Sequence, residues 1–172
     1  MEEEKELPKR KDNRLKNYDY SRAGAYFITI CTKDRKCLFW DKAQHHSVGE
    51  DIILPYENIR FSILGEIADE AINAIPVHYP QVEVVQYVIM PNHIHMILSI
   101  PYDDGRMISS PTSILTIVGQ MKRYVSKRVG KAIWQKSFHD HIIRNRADYE
   151  EHLRYIYENP INWHLDELYT EE

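Results

Sequence analysis

Hydrophobic positions along this chain change period several times, and each change marks an element. Residues 25–32, AYFITICT, are a β-branched and aromatic run that predicts a strand. Over residues 59–78 the apolar side chains Ile63, Ile67, Ala71, Ile72 and Ile75 recur at helical spacing and stop before Pro80, predicting a helix. Residues 81–90 and 93–100 are two further apolar strands, parted by the turn signal Pro91-Asn92. A second helix is predicted over 113–129, with Ser113 as its cap and Gly130 as its stop. Residues 133–143 are a short extended segment, suited to a sheet edge. A third helix is predicted over 148–159, with Asp148 as cap, Glu151 completing a capping box, and Pro160 ending it. Residues 1–17 form a polar arm, 34–58 a long connection without an assigned element, and 101–111 a polar loop.

The order is strand, helix, strand, strand, helix, strand, helix. It predicts an α+β fold: a ferredoxin-like antiparallel sheet with helices on one face, followed by a C-terminal helix. Residues 18–172 are expected to form one domain, and a chain of 172 residues can bury a core without disulfides or a structural metal. Only two cysteines occur, Cys31 and Cys37, with no CxxC, which argues against a disulfide framework or a cysteine zinc site. No apolar run reaches the length of a membrane span, and the charged start MEEEKELPKRK has no hydrophobic segment behind it. A cytoplasmic protein with reduced thiols is expected.

Charge changes the picture more than composition does. The net charge of −4 argues weakly against a nucleic-acid partner, but the charges are segregated. From Gly119 to Arg146 there are eight Lys/Arg and one acid, whereas from Asp148 to the end there are eight acids and one Arg. Residues 8–22 form a second basic stretch. Such segregation can build a basic groove on an acidic protein.

Candidate chemistry begins with His93 and His95. Two residues apart in a predicted strand, they project from the same face, while Ile94, Met96 and Leu98 point to the other, where helices bury them. This places two imidazoles on the open side of a central strand. With a third ligand they would hold a divalent ion and leave positions for phosphate oxygens.

The last helix supplies a nucleophile. At about 100° per residue, Tyr149, Leu153, Ile156 and Tyr157 share the expected core face. Tyr155 and Asn159, at i and i+4 on a polar face, can present a phenol and an amide oxygen to one phosphate. A phenol, with a pKa of about 10, leaves more readily than an alkoxide, so a phosphotyrosine link suits reversible strand transfer.

Three segments in combination, VIMPNHIHMIL, WQKSFHDHIIRN and DYEEHLRYIYENP, resemble the REP-associated tyrosine transposases, relatives of the single-tyrosine HUH transposases of small insertion sequences. The segment RLKNYDYSRAGAYFITICTKDR is similar to that family's N-terminal stretch, so the resemblance runs from about Arg14 to Trp163. It implies a ferredoxin-like fold, dependence on Mg²⁺ or Mn²⁺, and cleavage of hairpin DNA with single-stranded flanks through a 5′-phosphotyrosine. By position, His93 and His95 match the HUH pair, Tyr155 the nucleophile, and Asn159 the third metal ligand. That ligand is glutamine in the insertion-sequence relatives, and Glu158 is the alternative here. Insertion-sequence relatives act as dimers with active sites shared in trans and REP-associated enzymes as monomers, so monomer and homodimer both stay open.

Lys122, Arg123, Lys127 and Arg128 on the second helix, with Arg144 and Arg146, are candidates for tracking phosphates. Arg10, Lys11, Arg14 and Lys16 on the arm are candidates for holding bases beside a hairpin. Trp134 and His141 suit a framework role. Three other readings fit the same residues: a metal phosphoesterase using water, a nonenzymatic nucleic-acid binder, and a transposase that binds hairpin DNA without cutting it.

Overall fold

The computed structural model describes residues 14–41, 59–102 and 112–170. Arg10, Lys11 and most of the expected connection and polar loop lie outside the described residues. Four strands, β1 (Gly24–Cys31), β2 (Glu83–Ile89), β3 (His93–Ile100) and β4 (His139–Ile143), form one antiparallel sheet in the order β2-β3-β1-β4. Strands β1 and β3 are therefore central, and the 133–143 segment does supply an edge strand. The register sets Thr29 opposite His95 and Cys31 opposite His93.

Period-two alternation divides the two central strands between two layers. Tyr26, Ile28 and Ile30 of β1, with Ile94, Met96 and Leu98 of β3, are wholly buried under two helices, α1 (Ile63–Asn73) and α2 (Ile114–Val129). Ile114, Ile117, Val118, Met121 and Val125 make the buried stripe of α2. Each such side chain contributes roughly 1.5–3 kcal/mol relative to exposure. A turn of helix, Ile75–His78, continues α1 after a kink.

The caps explain where the helices begin. Ser113 accepts a hydrogen bond from the Leu115 amide, and Gly130 closes α2 in the left-handed region at φ 75°, both as expected. Helix α1 starts later than expected, because Ser62 caps it and the preceding Phe61 pairs with Trp40 instead. Close approach decides Gly65: a Cβ there would lie 2.1 Å from the Phe39 carbonyl oxygen.

Helix α3 (Arg146–Glu158) is capped by Asn145, whose Oδ1 accepts from the Asp148 amide at 3.0 Å. The expected Asp148 cap is thus corrected: Asn145 is three residues earlier and already extended, which leaves the Asp148 carboxylate to accept from the Arg144 amide. Ile156 is buried on the inward stripe, with Tyr149 and Leu153 half-buried beside it. Tyr157, expected in the core, is 60% exposed.

Helix α3 and the 159–170 tail cover the sheet face opposite α1 and α2. The expected open side of β3 is consequently closed: His93 is wholly buried and His95 3% exposed. Among the described residues, no helix is long and apolar enough to cross a membrane.

Candidate active site

Each histidine of β3 has one ring nitrogen fixed by a neighbour. His93 Nδ1 lies 2.8 Å from Asn92 Oδ1, and His95 Nδ1 lies 2.9 Å from Thr29 Oγ1 across the ladder. With Nδ1–H donating to these oxygens, both Nε2 atoms carry lone pairs, the arrangement found in metal-ligating histidines. Both Nε2 atoms are buried without a hydrogen-bond partner. The rings meet edge-on with centroids 4.5 Å apart. Burial, with Arg35's charge adding to it, pushes the His93 pKa down to about 3. Burial and then His93 hold His95 well below the usual imidazole range. Both are therefore neutral near pH 7, as ligands must be.

Tyr155 and Asn159 approach the same place from α3. The Tyr155 ring meets His95 edge-on at 5.0 Å and Phe27 at 6.1 Å. The point of convergence is a residue that sequence reasoning missed, Asp166. Its Oδ2 accepts from the Tyr155 hydroxyl at 3.0 Å and from Asn159 Nδ2 at 2.7 Å, and lies 3.9 Å from His93 Nε2. Burial and then Asp166's negative charge raise the Tyr155 pKa above the ordinary phenol value. Asn159 is 4% exposed, and its Oδ1 is buried with no partner.

The donor set fits a divalent ion. Two neutral imidazole nitrogens and an amide oxygen stand buried and unpartnered, beside a carboxylate. One ligand atom each from His93, His95 and Asp166 lies within 4.8 Å of the others. Imidazole, amide and carboxylate together suit Mn²⁺ and similar ions. Glu158, the alternative third ligand, is exposed and lies outside this cluster; Asp166 supplies the carboxylate instead.

The tail is held by Asn92. Its Nδ2 donates to the Leu168 carbonyl at 2.7 Å and the Arg35 carbonyl at 3.2 Å, while its Oδ1 faces His93. Trp163, buried, packs on the His93 ring at 5.8 Å. Asn92 was read only as part of a turn; its place next to His93 is the signal that could have singled it out. Asp166 was one acid among eight after residue 147, with no spacing to single it out.

The proposed phosphate-tracking residues fall into separate groups. Arg144 and Arg146 are exposed at the β4–α3 turn, with Arg146 paired to Glu150 at 2.7 Å. Arg14 lies along β4, 3.6 Å from Asp140 and over the Phe138 ring. Lys16 is exposed on the same stretch. Arg123 and Lys127 are exposed on α2, on the far side of the sheet from Tyr155. Arg128 turns toward α1, meeting Glu70 at 3.6 Å. Lys122 is spent inward: its ammonium donates to the Gln135 and Ser137 carbonyls at 2.9 and 2.7 Å. Trp134 is framework as expected, buried and donating to the Lys122 carbonyl.

No family model matches the sequence. A Haemophilus influenzae protein without an assigned activity is 32% identical over 181 residues, covering 94% of both chains. The REP-associated tyrosine transposase of Escherichia coli K12 is 27% identical over 143 residues, covering 83% of this chain and 69% of its own. A REP-associated tyrosine transposase solved bound to a REP hairpin superposes with a TM-score of 0.60 at 24% identity, over 87% of this chain and 73% of that one. The chain is similar in sequence to REP-associated tyrosine transposases and shares the fold of one of them. In this chain the ferredoxin-like sheet is the platform, and α3 with its tail carries Tyr155 over β3.

Proposed function

We propose that this chain is a transposase that cleaves and rejoins single-stranded DNA beside a hairpin, using Tyr155 as nucleophile and a Mg²⁺ or Mn²⁺ ion held by His93, His95 and Asn159. One observation carries the reading. The Tyr155 hydroxyl, Asn159 and His93 Nε2 all lie within 4 Å of one Asp166 oxygen, so nucleophile and ligands share one site.

In the cleavage step the Tyr155 oxygen forms a bond to phosphorus, and the bond from phosphorus to the 3′ oxygen breaks. The phenol proton passes to Asp166, already its hydrogen-bond acceptor, and a proton from solvent converts the departing oxygen to a 3′-hydroxyl. The 5′ end stays on Tyr155, and the same steps in reverse rejoin the strand. A divalent ion bound here supplies Lewis-acid polarisation of the phosphate oxygens. Thr29 and Asn92 hold the two imidazoles in the ligating tautomer. Phe27 and His95 flank the Tyr155 ring and restrict its swing.

Support for DNA as the partner comes from the relatives, one of them solved on a REP hairpin, and from the basic residues Arg14, Lys16, Arg144 and Arg146 around β4. Arg123, Lys127, Arg10 and Lys11 are the further candidates for phosphate contact. The test is an Mn²⁺-dependent cleavage assay on a hairpin with single-stranded flanks. His93→Ala and His95→Ala should abolish cleavage and retain hairpin binding, since phosphate contacts supply most affinity. Full cleavage by both variants would overturn the metal assignment, and release of product without a protein-linked strand would favour water as nucleophile.

A further inference from the structure

A second group of metal-ligand side chains meets where β4 runs into α3, and it shares no residue with the Tyr155 site. His141 lies on β4, paired in register with Phe27. Asp148 and His152 lie one turn apart on α3, on the same face of the helix. His141 Nε2 is 2.9 and 3.0 Å from the two Asp148 oxygens, and His152 Nδ1 is 3.1 Å from Oδ1. The two imidazoles stack with centroids 4.6 Å apart and planes 15° from parallel. One ligating atom from each residue falls within 4.8 Å of the other two.

The histidine-to-carboxylate spacings, 2.9 and 3.1 Å, are close to the about 3.3 Å between ligand atoms in a tetrahedral zinc site with bonds near 2.0–2.1 Å. Two imidazoles and one carboxylate are a borderline-soft set, which favours Zn²⁺ or Co²⁺ over Mg²⁺. The Asp148 carboxylate is held in place by the Arg144 amide at 2.9 Å, which also lowers its pKa and keeps it ionised. The outer side is open to solvent, with the His141 side chain 44% exposed and that of His152 20%, leaving room for a water as fourth ligand.

We propose that His141, Asp148 and His152 form a second divalent-metal site, selective for zinc-class ions, that clamps α3 to the edge strand β4. On binding, each imidazole would keep its single proton on the ring nitrogen away from the metal: His141 would ligate through Nε2, and His152 through Nδ1, which would give up its 2.8 Å hydrogen bond to the Asp148 carbonyl. The clamp bears on the nucleophile helix. Of the helix's residues only Ile156 is fully buried, so packing alone anchors α3 lightly. His152 packs on Phe27 at 4.5 Å, and Phe27 in turn meets the Tyr155 and His95 rings. An ion here would fix α3 one turn before Tyr155.

The experiment is a Co²⁺ titration of the full chain, read by visible absorption and repeated with Zn²⁺ competition. Three proteins are compared: the unsubstituted chain, His141→Ala/His152→Ala, and His93→Ala/His95→Ala. The first double variant should bind one equivalent fewer than the unsubstituted chain, and the second should retain a Co²⁺ site that Zn²⁺ displaces and Mg²⁺ does not. If a double variant does not fold, His141→Ala alone carries the test, because its ring is largely at the surface, and Co²⁺ should then bind at least tenfold more weakly. Unchanged stoichiometry and affinity in the His141 variants would overturn the proposal. So would loss of all Co²⁺ binding in a folded His93→Ala/His95→Ala chain.

Discussion

Thr29→Val separates a positioning role from a packing role at the His95 site. The substitution keeps the side chain's shape and removes one oxygen, the acceptor 2.9 Å from His95 Nδ1. A hydrogen bond of this kind contributes about 1 kcal/mol net, and leaving a buried N–H unpaired costs about 1–3 kcal/mol. For a domain of this length, at roughly 2–4 °C per kcal/mol, the melting temperature should fall by about 2–12 °C. The more telling effect is on the metal. Loss of the oxygen that orients a ligating histidine weakens binding about 10–100-fold. Mn²⁺ titration followed by electron paramagnetic resonance measures this directly, without DNA. Thr29→Ser restores the hydroxyl and should restore Mn²⁺ affinity, although it leaves a small void. If Thr29→Val melts lower yet binds Mn²⁺ as the unsubstituted chain does, Thr29 is only packing and the tautomer argument is wrong.

The remaining predictions concern pH and DNA charge. His93 stays neutral in the fold down to about pH 3 but titrates near 6.5 when unfolded. Between those values the unfolded chain binds the extra proton, so stability falls as pH falls, by up to about 1.4 kcal/mol per pH unit for each such histidine. Urea unfolding at pH 7 and 4.5 should show that loss, and His93→Gln should reduce it; a flat profile in the unsubstituted chain would contradict the burial argument. Arg144→Ala and Arg146→Ala should each weaken hairpin binding for all sequences alike and lower the salt slope by roughly 0.7–0.9. A gel-shift series with an unchanged slope removes that turn from the interface.

The legible parts of this fold were those governed by local period and local caps. The alternation in HIHMILSI placed His93 and His95 on one face of β3, and the register across to Thr29 and Cys31 followed from folding. Ser113 and Gly130 marked the ends of α2 because their chemistry acts within one turn. Helix α3 misled where two good caps, Asn145 and Asp148, stand three residues apart and only one can take the extended conformation. Tyr157 misled because a wheel shows which residues share a face but not how wide a strip the sheet covers. Asp166 was illegible for a different reason. Its place depends on the chain turning back after Pro160 and on Asn92 holding Leu168 and Arg35, contacts between residues 57 to 76 positions apart. The His141–Asp148–His152 group was hidden likewise, since β4 and α3 had to meet before those residues became neighbours.

The central claim is that Tyr155, among the tyrosines of this region, attacks the DNA. Tyr157 is exposed, Tyr149 lies half-buried on the inward stripe, and Tyr124 is on α2 with its hydroxyl bonded to Arg128. Tyr155→Phe removes one oxygen and little packing, so folding and hairpin affinity should be nearly unchanged while the covalent adduct disappears; Tyr157→Phe should form it normally. The most direct measurement is peptide mass spectrometry of the adduct trapped with a flanked hairpin and Mn²⁺. A 5′-phosphonucleotide on Tyr155 is expected. A nucleotide on any other residue, or a cleaved hairpin with no protein-linked strand, would contradict Tyr155 as the nucleophile.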